Sequence, residues 1–227
     1  MTKDLTSGPI TKSLLLFALP MIAGNLLQQF YNIADTMIVG RFLGKNALAA
    51  VGSSFTLMTF LTSIILGLAM GSGVLFSMKF GEKDEEALRR ESSSSFFIVL
   101  ITSIILTIAA YALLDLLKDL MNIPDEVWPE MRNYLIVIFS GIIGIFFYNW
   151  FSSFLRALGN STVPLVFLAI SALLNIGLDL YFVLALKRGV RGAAEATVIS
   201  EYISGMGVAI YTLIVSKESR FSINYVD

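Results

Sequence analysis

Six times along the chain the sequence runs for a membrane's thickness with few charges: residues 13–39, 47–72, 92–117, 127–154, 162–186 and 192–215. A helix that crosses the hydrocarbon core needs about 17 to 25 mostly apolar residues, because every backbone N–H and C=O must find its partner inside the segment. Each run meets that length. None shows the short alternating pattern of a barrel strand, which takes ~9 to 11 residues. Composition agrees: 56% of the 227 residues are hydrophobic and 15% are charged, with a mean hydropathy of +0.78. An average soluble domain has roughly 45–50% and 25%. The sequence therefore predicts an all-α, polytopic membrane protein in which six transmembrane helices form one unit over residues 1–227, with a polar tail at 216–227.

Lys3 and Lys12 ahead of the run at 14–19 imitate the start of a signal peptide. The apolar stretch continues through Pro20 and beyond without a small-residue cleavage site, so a retained helix is expected. An even number of spans puts both termini on one side. With that side cytoplasmic, the inner segments carry nine Lys and Arg (Lys3, Lys12, Lys79, Lys83, Arg89, Arg90, Arg156, Lys217, Arg220) against seven outside, the sense of the positive-inside rule. Short loops make consecutive helices antiparallel neighbours.

The chain has no cysteine and no histidine. Disulfides, thiol nucleophiles, Cys/His zinc sites and imidazole proton relays are excluded together. The net charge of −1 gives no indication of a nucleic-acid partner. Cation-responsive chemistry must then rest on carboxylates or lysines.

Against that background the first segment is unusual. QQFYNIADTMIVG, residues 28–40, places Asn25, Gln28, Asn32 and Asp35 at helical spacings of 3, 4 and 3, with Tyr31 beside them. They make one polar stripe. A carboxylate near the centre of a spanning helix costs ~2.5 to 3.5 kcal/mol on insertion scales, so it faces a bundle interior or a water-filled cavity. Amides can serve interhelical packing through hydrogen bonds; an aspartate is an expensive way to achieve it. Pro20 lies about four turns earlier and removes a backbone hydrogen bond, a candidate flexing point.

The fifth segment repeats the theme in SALLNIGLDLYF, where Ser171, Asn175 and Asp179 share a face. Sliding the chain onto itself so that Asp35 meets Asp179 also sets Ala49 and Ala50 on Ala193 and Ala194, and Ser53 on Thr197, a faint internal repeat. Two carboxylates at similar depth in parallel helices can share a pocket. Such a pair binds a proton or a cation such as Na+ more readily than it tolerates two bare charges.

Other features have ordinary readings. GEKDEEALRRE offers Glu85 with Arg89 and Glu86 with Arg90 as a solvated helical turn. Gly67 and Gly71, followed by Gly73, read as a close helix contact. LMNIPDEVWPEM reads as an interfacial turn with Trp128 as aromatic anchor. GIFFYNWFSSFLRALGN concentrates Phe147, Tyr148, Trp150, Phe151 and Phe154, for which core packing is the default. Tyr148 and Asn149 are its best candidates for a cavity that takes flat cationic compounds.

Four blocks in order, LLLFALPMIAGNLLQQFYNIADTMIVGRFLGKNALAAVG, GLAMGSGVLFSMKFGEKDEEALRR, FLRALGNSTVPLVFLAISALLNIGLDLYF and GVRGAAEATVIS, cover nearly the whole chain. Together they closely resemble the N-terminal lobe of the multidrug and toxic compound extrusion (MATE) transporters, in the bacterial branch of the DNA-damage-inducible protein F group. The resemblance implies a secondary antiporter, not an enzyme, that exports organic, often cationic, small molecules in exchange for H+ or Na+. No cofactor other than that coupling ion is implied. It further implies a cation site at Asp35, Asn175, Asp179, Thr197 and the Ala193 carbonyl, a hinge at Pro20, and residence in the inner (plasma) membrane with both termini cytoplasmic.

The chain also departs from the family pattern. MATE transporters carry twelve helices in two lobes, so the six segments here correspond to one lobe, whose expected partners are the lipid bilayer and a second six-helix lobe or a second copy of itself. Because such lobes are related by an axis along the membrane normal, two copies inserted the same way can imitate the pair. The sixth segment also carries Glu195 and Glu201, extra acidic groups where the family has other residues. Arg191 and Glu195 are spaced to pair, whereas Glu201 lies one turn from Thr197 on the same face. Three alternatives remain open on sequence grounds: a flippase for a lipid-linked precursor, a non-transporting half-lobe that binds another protein, and an intramembrane aspartyl protease, for which Gly177-Leu178-Asp179 gives only part of the GxGD motif.

Overall fold

The structure, a computed structural model, describes residues 10–215. The polar stretch 216–227 and the charges Lys3, Lys217 and Arg220 lie outside the described residues. Among the described residues, six helical spans are long and apolar enough to cross a bilayer. The first three are α1 (Ile10–Phe42), α2 (Lys45–Gly81) and α3 (Glu85–Ala112), followed by a short α4 (Leu114–Leu120). The fourth span is split into α5 (Trp128–Ile138) and α6 (Ile142–Ala157) by a 3-10 turn at Phe139–Gly141. The fifth is α7 (Thr162–Asp179) continued by a π-helical turn, Leu180–Ala185, and the sixth is α8 (Gly189–Val215).

The ends differ from the apolar runs for local reasons. α2 continues to Gly81 and α3 begins at Glu85, because polar residues beyond the hydrocarbon remain helical. Asp84 caps α3 by accepting from the Ala87 amide at 3.0 Å, and Glu85 and Glu86 suit the positive end of its dipole. Within the turn expected to be solvated, Glu85 lies 3.8 Å from Arg89, while Arg90 lies 4.0 Å from Glu91. Trp128 opens α5 half-buried against the core.

α6 is the centre of the lobe, packed against α2, α3 and α8; α7 lies between α8 and α1. α1 is peripheral: among its described side-chain positions only Gly24 and Val39 are buried, and Leu26 and Phe30 face outward. The core is aromatic. Phe76, Phe96, Trp150, Phe151 and Phe154 pack edge-to-face or stacked, with ring centroids 4.9–6.0 Å apart. Trp150 Nε1 donates to Ser95 Oγ at 3.2 Å.

The close glycine contacts are not where the GxxxG pattern places them. A Cβ built on Gly67 or Gly71 meets nothing within 4 Å, so this pair makes no helix contact inside the lobe; one on Gly73 would lie 3.3 Å from Ser153 Cβ. The tight seam is α6 on α8, where Gly144 and Gly205 allow the backbones to touch.

Candidate functional site

One face of α1, the facing side of α2 and one face of the α5–α6 span, with parts of α7 and the middle of α8, enclose a half-open cavity of about 770 Å3. The whole α1 stripe lines it: Asn25, Gln28, Tyr31, Asn32 and Asp35, with Pro20 toward one end. Helical periodicity explains this, since residues three and four apart point the same way. Thr36 and Asn32 tie back into α1 itself, Thr36 Oγ1 donating to the Asn32 carbonyl at 2.8 Å.

At the back of the cavity two carboxyl groups meet. Asp35 is partly buried and faces the cavity; Asp179, on the last residue of α7, is fully buried behind it. The two side chains lie within hydrogen-bonding reach of each other. Yet Asp35 Oδ1 and both Asp179 oxygens are buried without a donor. Ionised carboxylates only accept hydrogen bonds, so this contact becomes a bond only when a proton sits between them. Asn175, one turn before Asp179, donates through Nδ2 to Thr197 Oγ1 at 3.2 Å, which leaves its own Oδ1 buried and unpartnered. Ala193 is fully buried one turn before Thr197. Asp179, Asn175 and Ala193 do not line the large cavity, whereas Asp35 and Thr197 do.

The residues expected to form a cation site are thus brought together by three elements. Their free atoms are all oxygen acceptors, which fits H+ or a monovalent cation and repels an anion. Among the described residues no group of three or more Asp, Glu, His or Cys converges as a metal cage. The π-helical turn begins directly after Asp179, closed by the Leu186 amide donating to the Tyr181 carbonyl at 2.9 Å. Such turns insert a residue into an α-helix and occur often at functional sites.

Tyr148 and Asn149 line the cavity, Tyr148 Oη donating to the Pro164 carbonyl at 3.2 Å and Asn149 Nδ2 to the Ile145 carbonyl at 2.9 Å. Trp150, Phe151 and Phe154 belong to the core and not to the cavity, as core packing requires. The two additional glutamates separate. Glu195 is held by Arg188 and by Arg191 at 3.2 Å, away from the cavity, so it adds nothing to the site's acidity. Glu201 lines the cavity, with Oε2 buried and unpartnered.

Sequence reasoning did not single out Tyr134 or place Arg156 in the cavity, though both line it. A lone tyrosine in an apolar run carries no periodic signal, and Arg156 reads as an interfacial residue at a helix end.

A six-helix membrane lobe with a half-open cavity and a facing pair of carboxyls on its back wall has the form of one lobe of a membrane transporter. The MatE family description matches residues 20–181. Over 210 residues the chain is 35% identical to the probable multidrug resistance protein YpnP of Bacillus subtilis, covering 92% of this chain and 47% of that protein. It is 27% identical to the DNA damage-inducible protein F of Escherichia coli over 195 residues, covering 84% of this chain and 42% of the relative. An outward-facing structure of a multidrug resistance MATE family transporter of the MOP superfamily superposes with a TM-score of 0.89 at 28% identity, over 97% of this chain and 49% of that one. The chain belongs to the MATE family of multidrug efflux transporters and is a multi-pass membrane protein. It spans about half the length of the curated relatives it matches.

Proposed function

We propose that this chain is the N-terminal lobe of a cation-coupled exporter of organic, often cationic, small molecules, and that Asp35 and Asp179 carry the coupling H+ or Na+. The observation that carries this reading is the facing carboxyl pair at the back of the cavity, whose buried oxygens find no donor in the protein. Asn175, Thr197 and the Ala193 carbonyl complete an acceptor set around it. A cation entering from outside neutralises the pair and lets Asp35 and Asp179 close on it. The polar face of α1 that lines the cavity then rearranges, with Pro20 as the flexing point, and substrate affinity falls. By linkage, bound substrate weakens cation binding by the same factor. Tyr148 and Asn149 form part of the substrate wall.

The working unit is two lobes in the inner membrane with both termini of this chain cytoplasmic. The second lobe is either a separate six-helix lobe or a second copy of this chain. The acid balance of the cavity supports organic cations over lipid-linked polyanions: Asp35 and Glu201 line it, and Arg156 is the only Lys or Arg among its described lining residues.

Efflux of a fluorescent cationic dye tests the assignment, in cells producing this lobe with a second lobe or a second copy. Asp35→Asn and Asp179→Asn should each abolish export while the protein remains folded and in the membrane. Wild-type efflux from both variants would overturn the site.

A further inference from the structure

Beyond the Asp35 and Asp179 pair lies a second, much smaller space of about 10 Å3, lined by residues of α1, α7 and α8. That is about one water-sized sphere. Three of its lining residues each carry an oxygen that is buried without a hydrogen-bond partner: Asn175 Oδ1, Ser200 Oγ and Glu201 Oε2. Asn175 and Ser200 are each 2% exposed. Thr197 and Tyr31 add two hydroxyl oxygens to the same wall.

We propose that this void is a second small-cation site, distinct from the aspartate pair but sharing Asn175 and Thr197 with its acceptor set, in which Glu201 supplies the charge and Asn175, Thr197, Ser200 and Tyr31 supply neutral oxygens to one desolvated monovalent cation of sodium size. Charge selects the ligand. One carboxylate among neutral oxygens is balanced by a single positive charge, whereas a divalent ion leaves excess charge in a low-dielectric interior and an anion is repelled. A water alone satisfies some of the oxygens and leaves the carboxylate uncompensated.

Geometry separates the two sites. α7 and α8 are antiparallel, and the Asn175 to Thr197 bond joins them at one level. Asp179 lies four residues along α7 from that level and Glu201 four residues along α8 in the opposite direction, so they stand about 12 Å apart along the helix axes at 1.5 Å per residue. Asn175 and Thr197 sit between the two acidic poles. Helix packing pins the glutamate: a Cβ on Gly141 would fall on Glu201 Oε2 and lie 3.1 Å from Val198 Cγ2, and one on Gly144 would lie 3.3 Å from the Glu201 carbonyl carbon. Glu201, Thr197 and Tyr31 line both the void and the open cavity, which gives the ion a path of entry. The site's use in coupling rests on the exporter reading, but its existence does not.

Equilibrium dialysis with radioactive Na+ on the full chain in lipid nanodiscs tests the proposal, with helical content of every variant checked by circular dichroism. Glu201→Gln, nearly isosteric, should lose one Na+ per chain relative to wild type. Ser200→Ala should keep that ion with affinity lowered on the order of tenfold. The Asp35→Asn, Asp179→Asn double variant should retain the Glu201-dependent ion whether or not the pair itself takes Na+. Unchanged Na+ binding in the folded Glu201→Gln protein would overturn the proposal. So would loss of all Na+ in the aspartate double variant, which would mean one merged site, or no Na+ bound to wild type. Failure of the exporter reading shows instead as normal dye efflux in the aspartate variants.

Discussion

Replacing Gly205 with alanine puts a methyl group into the tightest contact of the α6 and α8 seam. Its Cβ would lie 2.6 Å from the Gly144 carbonyl oxygen, 3.1 Å from Phe147 Cβ and 3.2 Å from the Tyr148 amide nitrogen. Two of these are backbone atoms inside α6, so no rotamer change relieves them. The helices must part until the shortest contact reaches the ordinary 3.4 Å. A separation of about 0.8 Å forfeits a quarter to a half of the dispersion well for the contacts it opens. Overpacking of this kind costs about 1 to 3 kcal/mol, or roughly 5- to 150-fold in the unfolding equilibrium. Gly71→Ala is the control. Nothing lies within 4 Å of its Cβ, and alanine is the better helix former by up to ~1 kcal/mol, so that variant should match or exceed wild type. Denaturation of the purified single chain in mixed micelles, followed by Trp fluorescence, ranks the three proteins. Wild-type stability for Gly205→Ala, or an equal loss for Gly71→Ala, would refute the reasoning and restore the GxxxG pair as a packing motif of the lobe.

Two further outcomes follow from particular contacts. Trp150→Ala should cost about 3 to 5 kcal/mol and show as loss of folded protein, not as a selective loss of dye efflux, because the ring is fully buried and stacked at 5.7 Å on Phe154; folded yield by size-exclusion chromatography decides. Between the third and fourth spans, Lys118 Nζ of α4 lies 2.6 Å from Asp125 Oδ1 in the turn that follows and holds that carboxyl below its usual range. A carboxyl depressed in the folded state stabilises above its unfolded pKa, and that gain is lost as pH falls through the folded value. Both groups are solvent-exposed, so the effect is small and fades with salt. A carboxyl-carbon NMR titration should move Asp125 back to the ordinary range in Lys118→Met.

How much of this was legible in the sequence depended on whether one helix or several decided it. The α1 stripe was legible because spacings of 3 and 4 commit Asn25, Gln28, Asn32 and Asp35 to one face whatever packs there, and the cost of a carboxylate in lipid commits that face to a cavity. The extent of α2 and α3 was less so, since apolarity marks the hydrocarbon and not the helix, and an Asp84 cap decides where α3 starts. Gly67 and Gly71 misled because the pattern records permission for close approach, not its occurrence; Gly144 and Gly205 are used instead. Glu195 was partly legible, since Arg191 stands one turn before it; the turn after the π-helical segment adds Arg188 to that pair. The trapping of Glu201 against Gly141 was not legible, because it depends on a neighbouring helix.

Three helix irregularities border the cavity or one of its acidic groups. Pro20 removes a hydrogen bond in α1 beside the cavity, and was readable because proline lacks the donor. The 3-10 turn at Phe139–Gly141 interrupts the fourth span where Glu201 presses on Gly141, and the π-helical turn at Leu180–Ala185 starts at Asp179. Neither has a local sequence cause of proline's kind; both answer to neighbouring helices. Each lies against one of the two buried acids on the fifth and sixth spans. A regular α-helix holds its side chains at fixed angles, whereas a segment with one more or one fewer residue per hydrogen-bonded ring can change register and turn a carboxyl toward or away from its partner. At the proposed sites, a cation bound at Asp179 or Glu201 would therefore act directly on the least regular backbone among the described residues, and from there on the cavity wall to which α1, α2 and α5–α6 contribute.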